Sequence, residues 1–441
     1  MKKNVLALSV ASALSIFAAQ QARAAGFALY EQGISGMGNA YAGAAAVAED
    51  ATTVWWNPAG MSRLPKGMHA SVGVAAIAPS WKFHDNGSTV GTASNPAKTG
   101  NGGDAGDTAY VPSAFFAMDL NPVWNFGLGI SVPFGLKTEY DPNWIGRFQG
   151  IKSEVQTVNI NPAVSYKVSD ALSLGFGVNY QRGKIDILTG VNLGPAALPA
   201  SAGLEAQNQV NLDGDAWGFN MGALFNVGPA TRVGVHYRSS LDYKLDGNTQ
   251  FFGVPAPFSA SPTLQNGNIK FDLKTPDNLA VAVAHRMDDK LELLGDFTWW
   301  HWSKIKSIPI VRTDGPISGA TLSTLNFNFD DSYRVSVGAN YKLSQPWTLK
   351  AGLAFDQTPV PNAESRTVRL PDSDRYWLSF GAKYQASPKD AVDVGYTYIK
   401  AKDADINNIQ NNPAALQFNG NVVGTYKASV NVFGLQYQHT F

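Results

Sequence analysis

Residues 332–343 read Ser-Tyr-Arg-Val-Ser-Val-Gly-Ala-Asn-Tyr-Lys-Leu, and this stretch decides the fold class. Its odd-numbered positions carry aliphatic or aromatic side chains, whereas its even-numbered positions carry polar or small ones. A period of two places these sets on opposite faces of one β-strand. The same alternation recurs in residues 172–180, 347–356 and 375–384. The repetition predicts an all-β fold whose strands each have one apolar face.

Two architectures have such strands: a soluble β-sandwich with one solvated face, and an antiparallel β-barrel in a membrane. Many of the segments are longer than the roughly five or six residues of an average globular strand. Their apolar faces end in Tyr, Trp or Phe, as an aromatic girdle at the bilayer interface requires, and the chain itself ends in Phe441. We therefore predict a transmembrane antiparallel β-barrel of about 14 strands.

The connections between these segments predict the orientation of the barrel. Long connections rich in Gly, Asn and Pro alternate with short ones along the chain, for example residues 80–108 and then Leu120-Asn121-Pro122. About seven long and six short connections join about 14 strands, an even number as in single-chain bacterial barrels. Long loops of such barrels face outside and short turns face the periplasm, so we expect both chain ends in the periplasm.

Residues 1–24 are predicted to be a cleaved secretory signal peptide. Two lysines precede an apolar run that ends at Ala19, and Ala22-Arg23-Ala24 offers the small residues that signal peptidase requires. The run is shorter than the ~20 apolar residues that a membrane-spanning helix needs. The signal and the barrel pattern together predict a location in the outer membrane of a Gram-negative cell.

The mature chain divides into a short amino-terminal region, residues 25–65, and the barrel, residues 66–441. The first region is rich in Gly and Ala and contains aromatic residues such as Phe27 and Trp55. Because eight strands already enclose a packed interior, about 14 strands leave a lumen that needs closing. We predict that residues 25–65 form a hatch, or plug, inside the lumen; the alternative, a periplasmic tail, would be polar and poor in aromatic residues.

Composition excludes several function classes. The chain has 34 Lys and Arg against 34 Asp and Glu, so no basic surface predicts a nucleic-acid partner. Removal of the predicted signal leaves 31 basic against 34 acidic side chains, a formal charge of about −3. The chain has no cysteine, which excludes disulfides, thiol catalysis and Cys-based metal sites. We expect no cofactor, no bound metal and no enzymatic activity, and a lipase is disfavoured because no Ser-His-Asp grouping stands out.

Three separated stretches carry a resemblance to a known family: residues 25–59, residues 180–185 (Tyr-Gln-Arg-Gly-Lys-Ile) and residues 354–379. They resemble the FadL-type long-chain fatty acid transporters of Gram-negative outer membranes, a family that also includes toluene and aromatic-hydrocarbon channels. The resemblance implies a monomer that is inserted by the barrel-assembly machinery and surrounded by outer-membrane lipid and lipopolysaccharide. It also implies a hatch, whose characteristic residues here are Gly26, Phe27, Asn57, Pro58 and Ala59.

A fatty acid needs an apolar slot for its tail and a few donors for its carboxylate, for which the planar guanidinium of Arg is well suited. The resemblance makes Arg182, with Lys184, the first candidate for the head group. Arg182 shares a strand face with the apolar positions of its segment, so it reaches the lumen only if the strand bulges; otherwise it is a rim arginine that contacts lipopolysaccharide phosphate. The lysine that the family carries before its tenth strand is absent from residues 322–329. Arg334 and Arg375, on predicted lumenal faces, are the substitutes.

The external loop near residue 255 is the candidate outer groove for the ligand. It carries three phenylalanines, which are costly to expose to water, so a contiguous patch of them would mark a binding surface. The alternative is that the rings pack against the neighbouring loop at residues 190–204. The three residues are Phe251, Phe252 and Phe258.

The resemblance also implies a lateral opening in the barrel wall beside a kinked strand. In this sequence the kink is expected at Phe126, Gly127 and Gly129, because glycines inside a strand weaken ladder pairing and mark bulges. The alternative interpretation is that these glycines relieve crowding in the wall.

These patterns lead to one functional prediction and several alternatives. We expect passive uptake of long-chain fatty acids, or of other hydrophobic small molecules, from an outer groove through an internal pocket to a lateral exit. A channel for monoaromatic hydrocarbons such as toluene would not need a cation to pair with a carboxylate. A surface receptor or adhesin would place its function in the outer loops, and a general porin would have a charged, open constriction.

Overall fold

The computed structural model describes residues 26–90, 100–193, 203–412 and 417–441. The predicted signal peptide, residues 1–24, lies outside the described residues. Short helices occupy the beginning of the described chain, and strands make up most of the rest. No helix in these four ranges is long and apolar enough to cross a membrane.

In the described residues, the barrel wall consists of twenty strand segments. They are β1 (Met68–Asp85), β2 (Ala109–Asp119), β3 (Trp124–Ser131), β4 (Gly135–Glu139), β5 (Lys152–Lys167), β6 (Leu172–Asn192), β7 (Glu205–Asn226), β8 (Thr231–Arg238), β9 (Asp242–Phe252), β10 (Gly267–Lys274), β11 (Asn278–Arg286), β12 (Leu291–Trp300), β13 (Ser307–Arg312), β14 (Thr321–Asn326), β15 (Ser332–Lys342), β16 (Trp347–Asp356), β17 (Arg375–Gln385), β18 (Asp390–Ala401), β19 (Ala404–Asn412) and β20 (Gln417–Thr440).

The segments form one antiparallel sheet that closes into a barrel, because β1 pairs with β2 on one side and with β20 on the other. Six crossings of the wall consist of two consecutive segments each: β3 with β4, β8 with β9, β10 with β11, β12 with β13, β14 with β15, and β18 with β19. Twenty segments minus these six continuations give 14 strands. The predicted all-β antiparallel barrel is therefore confirmed.

The alternation in the sequence is an alternation between lipid and lumen. In β15, Tyr333, Val335 and Val337 point outward and are 40–56% exposed, whereas Arg334 and Ser336 point inward and are buried. An apolar outer face with a polar inner face is the pattern of a transmembrane β-barrel.

The turns at one end of the barrel lie where the sequence predicted them. Residues 120–123 join β2 to β3 and residues 168–171 join β5 to β6, for example. Most connections at the other end are shorter than predicted, because the strands continue beyond the expected length; the connection between β16 and β17, residues 357–374, has the predicted length. The long loop predicted at residues 401–423 was wrong, since β19 and the start of β20 occupy most of it.

The amino-terminal residues 26–65 lie inside the barrel and are mostly buried. They form four short helices, at Met37–Asn39, Ala44–Val47, Thr53–Trp56 and Pro58–Arg63. Strands on different sides of the wall contact them: β15 to β18 contact the first helix, β8 and β11 the second, and β5 to β7 the fourth. A segment in contact with the wall on several sides fills the lumen, and we call it the hatch.

Glycines in the wall allow the hatch backbone to approach closely. A Cβ atom at Gly234 of β8 would overlap the carbonyl of Ala45, and one at Gly352 of β16 would overlap the carbonyl of Asn39. Only glycine leaves room for such contact between two backbones. The hatch is therefore fitted to the wall at two separate places.

A buried ion cluster also joins the hatch to the wall. The ammonium of Lys350 on β16 donates to Glu49 of the hatch at 2.7 Å and lies 3.4 Å from Asp393 on β18. Asp50 of the hatch accepts a hydrogen bond of 3.0 Å from the side chain of Gln436 on β20. Removal of one partner from such a cluster leaves an uncompensated buried charge, so these contacts hold the hatch in place.

The predicted kink at Phe126, Gly127 and Gly129 was wrong in position. β3 pairs in register with both β2 and β5 across these residues. A Cβ atom at Gly127 would instead crowd the hatch side chains of Val54 and Met61, so relief of crowding explains the glycine.

The wall breaks at residues 132–134, between β3 and β4. Pro133 in this break has no N–H for a ladder bond. Hatch backbone takes the vacant place: the N–H of Leu29 donates to the carbonyl of Pro133 at 2.8 Å, and Ala28 forms a β-bridge with Phe134. The break in the wall and the first residues of the hatch are therefore one connected feature.

Candidate ligand-binding site

The outer half of the lumen is lined by apolar side chains, and we call this region the apolar chamber. Inward positions of β6, β7, β9, β10 and β13 carry aliphatic and aromatic residues here. Its buried lining includes Phe27, Phe134, Leu136, Ile185, Ile187, Val210, Leu212, Tyr243, Leu245, Ile269, Phe271, Leu273, Trp302, Ile308, Ile310 and Leu370. Such a lining suits an apolar ligand.

A cavity of about 260 Å³ opens within the apolar chamber beside Phe27 and Phe134. Hydroxyl groups in its lining are already bonded within the protein: Thr157 donates to the carbonyl of Phe134 at 2.7 Å, and Tyr243 donates to Gln181 at 2.8 Å. The cavity therefore offers mainly van der Waals contact.

Arg369 brings a cation to the edge of the apolar chamber. It lies in the loop between β16 and β17, next to the chamber residue Leu370, and its guanidinium donates to the hydroxyls of Ser153 (2.9 Å) and Thr189 (2.7 Å). Ser153 is two residues from the cavity residue Val155, a step of about 7 Å along β5. Burial lowers the pKa of Arg369 to about 10, so the group stays charged at neutral pH. Within the described ranges, no carboxylate is paired with it.

Arg334 and Arg375 point into the lumen, as their positions predicted, and each is bonded within the protein. The guanidinium of Arg334 lies 4.3 Å from the centre of the Tyr30 ring and donates to the carbonyl of Ala40 at 2.8 Å. Arg375 donates to the carboxylate of Asp372 at 2.7 Å. These contacts hold the hatch and a neighbouring loop, and a role at the ligand head group stays a prediction.

The side chains of Arg182 and Lys184 do not point into the lumen, although Lys184 borders the chamber cavity between Gly183 and Ile185. β6 pairs with β7 in one continuous register, so both side chains share the outer face with Tyr180, and Arg182 forms an ion pair with Asp213 of β7. The predicted head-group role is corrected for both residues, because the strand bulge that it required does not occur in β6. Contact of Arg182 with lipopolysaccharide phosphate, the alternative for this residue, stays a prediction.

The three phenylalanines of the candidate outer groove lie at the outer end of the barrel. Phe251 and Phe252 end β9, and Phe258 belongs to a short helix in the connection that follows. Phe252 is 46% exposed, and the other two rings are partly exposed. Residues 194–202 of the loop expected to pack against them lie outside the described ranges. The outer groove stays a prediction.

The first described residues of the hatch form the floor of the apolar chamber. The backbone N–H of Gly26 donates to the carboxylate of Asp372 at 3.0 Å. The ring of Phe27 lies 4.9 Å from that of Trp302, edge to face, and 5.6 Å from that of Phe134. These ring contacts hold Phe27 against the lining of the chamber.

Asn57 anchors the other end of the hatch. Its side-chain amide donates to the carbonyls of Ala45 (2.8 Å) and of Ala223 on β7 (3.0 Å), and its Oδ1 accepts the N–H of Ala59. Pro58 occupies the first turn of the following helix. A backbone N–H at this position has no partner within the helix, so the lack of an N–H in proline costs no hydrogen bond. The Asn-Pro-Ala sequence is thus a structural anchor to the wall.

The strand ladder of the wall is interrupted next to the hatch. Beyond the break at residues 132–134, β4 pairs with β5, while the facing part of β2, residues 109–113, pairs with β1. No ladder joins β4 to β2 in the described part of the chain. Gln32 of the hatch donates to the carbonyl of Val132 at the edge of this interruption, at 2.7 Å. The interruption lies between strands of the wall, where the lateral opening was expected, and the opening itself stays a prediction.

Sequence reasoning missed two lumenal arginines, Arg369 and Arg238. The outward positions of β8 are Val233, Val235 and Tyr237, so the parity of Arg238 already indicated the lumen. Arg369 lies in a long connection, where strand alternation gives no direction. Its inward position depends on contacts with β5 and β6 that only the folded chain shows.

A 14-stranded barrel with a lipid-facing apolar band, an internal hatch and an apolar chamber defines an outer-membrane transporter of hydrophobic molecules. This chain belongs to such a family: the model of the outer membrane protein transport proteins (OMPP1/FadL/TodX) matches residues 15–441. The match confirms the resemblance seen in the sequence and the outer-membrane location. The family consists of transporters and channels rather than enzymes.

Named relatives and solved structures agree with this family. The long-chain fatty acid transport protein of Escherichia coli (strain K12) is 31% identical over 92% of this chain and 93% of its own length. Outer membrane protein P1 of Haemophilus influenzae is 30% identical over 98% of this chain and 99% of its own length. The crystal structure of a Pseudomonas aeruginosa FadL homologue has a TM-score of 0.85 at 27% identity and covers 95% of this chain and 100% of that chain. The Ralstonia pickettii toluene transporter TbuX, with a TM-score of 0.65 at 19% identity over 94% of this chain and 100% of that chain, shows the same fold.

Proposed function

We propose that this protein takes up long-chain fatty acids passively, with the acyl tail in the apolar chamber and the carboxylate at Arg369. The observation that carries the proposal is a charged guanidinium next to an apolar cavity, with only hydroxyl acceptors among its described side-chain partners. The long-chain fatty acid transport protein of Escherichia coli, at 31% identity, supports the same ligand class.

The chemistry of the ligand matches the two parts of this site. The planar fork of an arginine binds a carboxylate with two hydrogen bonds, and the surrounding apolar lining removes the tail from water. Neutral hydroxyls hold Arg369 in position without cancelling its charge. The lateral opening at residues 132–134 gives an exit into the membrane once Phe27 moves. We also expect a monomer that the barrel-assembly machinery inserts with both ends in the periplasm.

A second candidate function is a channel for monoaromatic hydrocarbons such as toluene. The apolar lining of the chamber cavity, whose Thr157 and Tyr243 hydroxyls are bonded within the protein, suits a ligand without a polar head group. Such a ligand has no carboxylate, so its passage would not depend on Arg369.

Transport into proteoliposomes by the purified barrel separates these functions. The experiment compares labelled oleate with toluene in the wild type, in Arg369→Gln and in Arg182→Gln, which removes an exposed outer-face arginine as a control. Charge-assisted hydrogen bonds contribute about 1.5–3 kcal/mol, so the loss of Arg369 is expected to weaken oleate binding roughly 10- to 100-fold. Toluene uptake should not change.

Each other outcome contradicts a stated part of the proposal. Equal oleate uptake by wild type and a folded Arg369→Gln barrel would exclude the head-group role. Uptake of toluene without oleate would replace the fatty acid by the second candidate. Uptake of neither ligand would favour a receptor or adhesin.

A further inference from the structure

A larger cavity, of about 610 Å³, lies between the hatch and the barrel wall. Hatch residues Tyr30, Trp55 and Trp56 line one side, and inward residues of β8, β11 and β12 line the other. Phe134 lines this cavity and also the apolar chamber, so the two spaces are neighbours. The cavity is therefore separate from the head-group position at Arg369 but within reach of a molecule that leaves the chamber.

Arg238 of β8 lies in the wall of this cavity and is 4% exposed. Its guanidinium carbon is 3.5 Å from the centre of the Trp55 ring, and its Nη2 donates to the carbonyl of Trp55 at 2.9 Å. Its Nη1 donates to the side-chain oxygen of Asn179. A guanidinium carries five N–H donors, so these two bonds leave three for another acceptor.

The charge of Arg238 has no counterpart in the part of the chain that the structure describes, where neither ion pairs nor hydrogen bonds connect it to a carboxylate. Asp296, the acidic residue in the cavity lining, accepts a bond of 2.9 Å from Thr298. Across the ladders of β8, β11 and β12, Arg238 is aligned with Trp300. Asp296 precedes Trp300 by four residues on β12, so it is not aligned with Arg238. A buried cation without a partner carries a desolvation cost that an anionic ligand would offset.

The shape of the cavity also fits an amphiphile. Ala280 lies opposite the hatch between larger neighbours, and its small side chain leaves the space open. The rings of Tyr30, Trp56 and Trp300 provide an apolar surface that continues to Phe134. The carbon chain next to a carboxylate at Arg238 would therefore contact aromatic side chains.

We propose that Arg238 and the aromatic residues of this cavity form a second carboxylate site, which binds the fatty acid between the apolar chamber and the lateral opening. The inference rests on the proposed function, because it takes the same ligand class. It assigns the hatch a binding surface in addition to its role as a plug. A ligand would thus pass from one arginine to another rather than leave the chamber directly.

Photo-cross-linking of the full-length barrel in liposomes tests this proposal. The probe is a fatty acid with a diazirine next to its carboxyl group, and labelled peptides are identified by mass spectrometry. In the wild type we expect two labelled regions: the loop around Arg369, and the hatch segment that contains Trp55. Arg238→Gln should reduce labelling of the hatch segment roughly tenfold and leave labelling of the loop unchanged.

A second variant keeps the test valid if the loss of Arg238 disturbs the hatch. Ala280→Phe fills the cavity without removing any bond of Arg238, and it should also reduce hatch labelling roughly tenfold. Arg286→Gln, which removes an exposed arginine of β11, is the matched control and should label like the wild type.

The outcomes distinguish the two proposals. Hatch labelling that persists in both Arg238→Gln and Ala280→Phe would overturn the second site. A wild type labelled at the loop alone would overturn the second site and retain the proposed function. A wild type labelled at neither region would contradict the proposed function itself.

Discussion

The two halves of the barrel wall carry opposite patterns on the same strands. Near the short turns, the outward residue Phe176 of β6 is apolar and the inward residue Asn179 is polar. Farther along the same strand, the outward residue Arg182 is charged and the inward residue Ile185 is apolar. The alternation with a period of two is unbroken along β6, but the apolar residues change from the outward face to the inward face.

This difference shows where the barrel leaves the membrane. About 9–11 tilted residues cross a bilayer, whereas β6 has 21 residues. The inner half therefore meets lipid on its outer face, and the outer half meets water on its outer face, as a soluble β-sheet does. Where β6 passes from lipid into water, its outer face changes from apolar to polar, and its inner face changes from polar beside the hatch to apolar in the chamber.

The two halves also have different tasks in the lumen. The inner half surrounds the hatch with glycines, ions and polar groups and leaves a cavity on one side of the hatch, whereas the outer half forms the apolar chamber. The comparison predicts that substitutions at the close backbone contacts with the hatch affect closure of the barrel, and that substitutions in the chamber affect the ligand.

The largest effect is expected for Gly234→Leu, in the part of the wall that contacts the hatch. Its side chain would overlap the backbone of Ala45, which cannot turn aside as a flexible side chain can. Overpacking of a core costs roughly 1–3 kcal/mol, and a clash with backbone should exceed that range. We expect a lower unfolding temperature and leakage of small hydrophilic solutes through the barrel in a liposome-swelling assay.

Gly295→Leu is the matched control for this variant. Gly295 is on the neighbouring part of the wall in β12 and points outward, so its substitution adds an apolar side chain to the lipid face. Leakage in both variants, or in neither, would show that contact between Gly234 and the hatch does not close the lumen.

A smaller effect is expected for Leu245→Ala in the apolar chamber. Leu245 is buried and lines the chamber cavity, so its truncation enlarges an existing space. Truncation of a buried leucine costs roughly 2–5 kcal/mol, and we expect the lower end of this range because the site already contains a void. The barrel should stay closed to hydrophilic solutes, while its preference shifts towards bulkier apolar ligands in a competition assay.

Leu353→Ala removes the same atoms from the lipid face, where Leu353 is 54% exposed. This control should leave the ligand preference as it is in the wild type. A shift of preference in the control, or leakage in Leu245→Ala, would contradict the separation of tasks between the two halves.

The sequence predicted the fold well because the fold depends on a local signal. Alternation in residues 332–343 gave the strand, its two faces and the class of barrel, and all of these follow from neighbouring residues. The outer ends of the strands were predicted less well. Residues 401–423 looked like a loop because polar and glycine residues cover the outer face of a strand in water.

The candidate site depends on contacts between distant parts of the chain, and for that reason the sequence predicted less of it. The break at residues 132–134 involves Leu29 of the hatch, about a hundred residues away. The proposed head-group residue, Arg369, meets its partners Ser153 and Thr189 across the lumen. Family resemblance favoured Arg182 instead, while the local alternation already placed that residue on the outer face.

The smallest effect is expected for Arg182→Gln, which tests the exchange of faces directly. Arg182 is exposed on the outer face and pairs with the exposed Asp213. Exposed ion pairs contribute about 0.2–1 kcal/mol and are screened by salt, so the stability of the variant should approach that of the wild type at high ionic strength. Oleate uptake should equal the wild-type rate, because water and not the lumen surrounds this side chain. A large loss of uptake in a folded Arg182→Gln barrel would place the ligand route along the outer face. It would contradict the conclusion that, at this level of the barrel, water covers the outer face and the ligand binds in the apolar chamber.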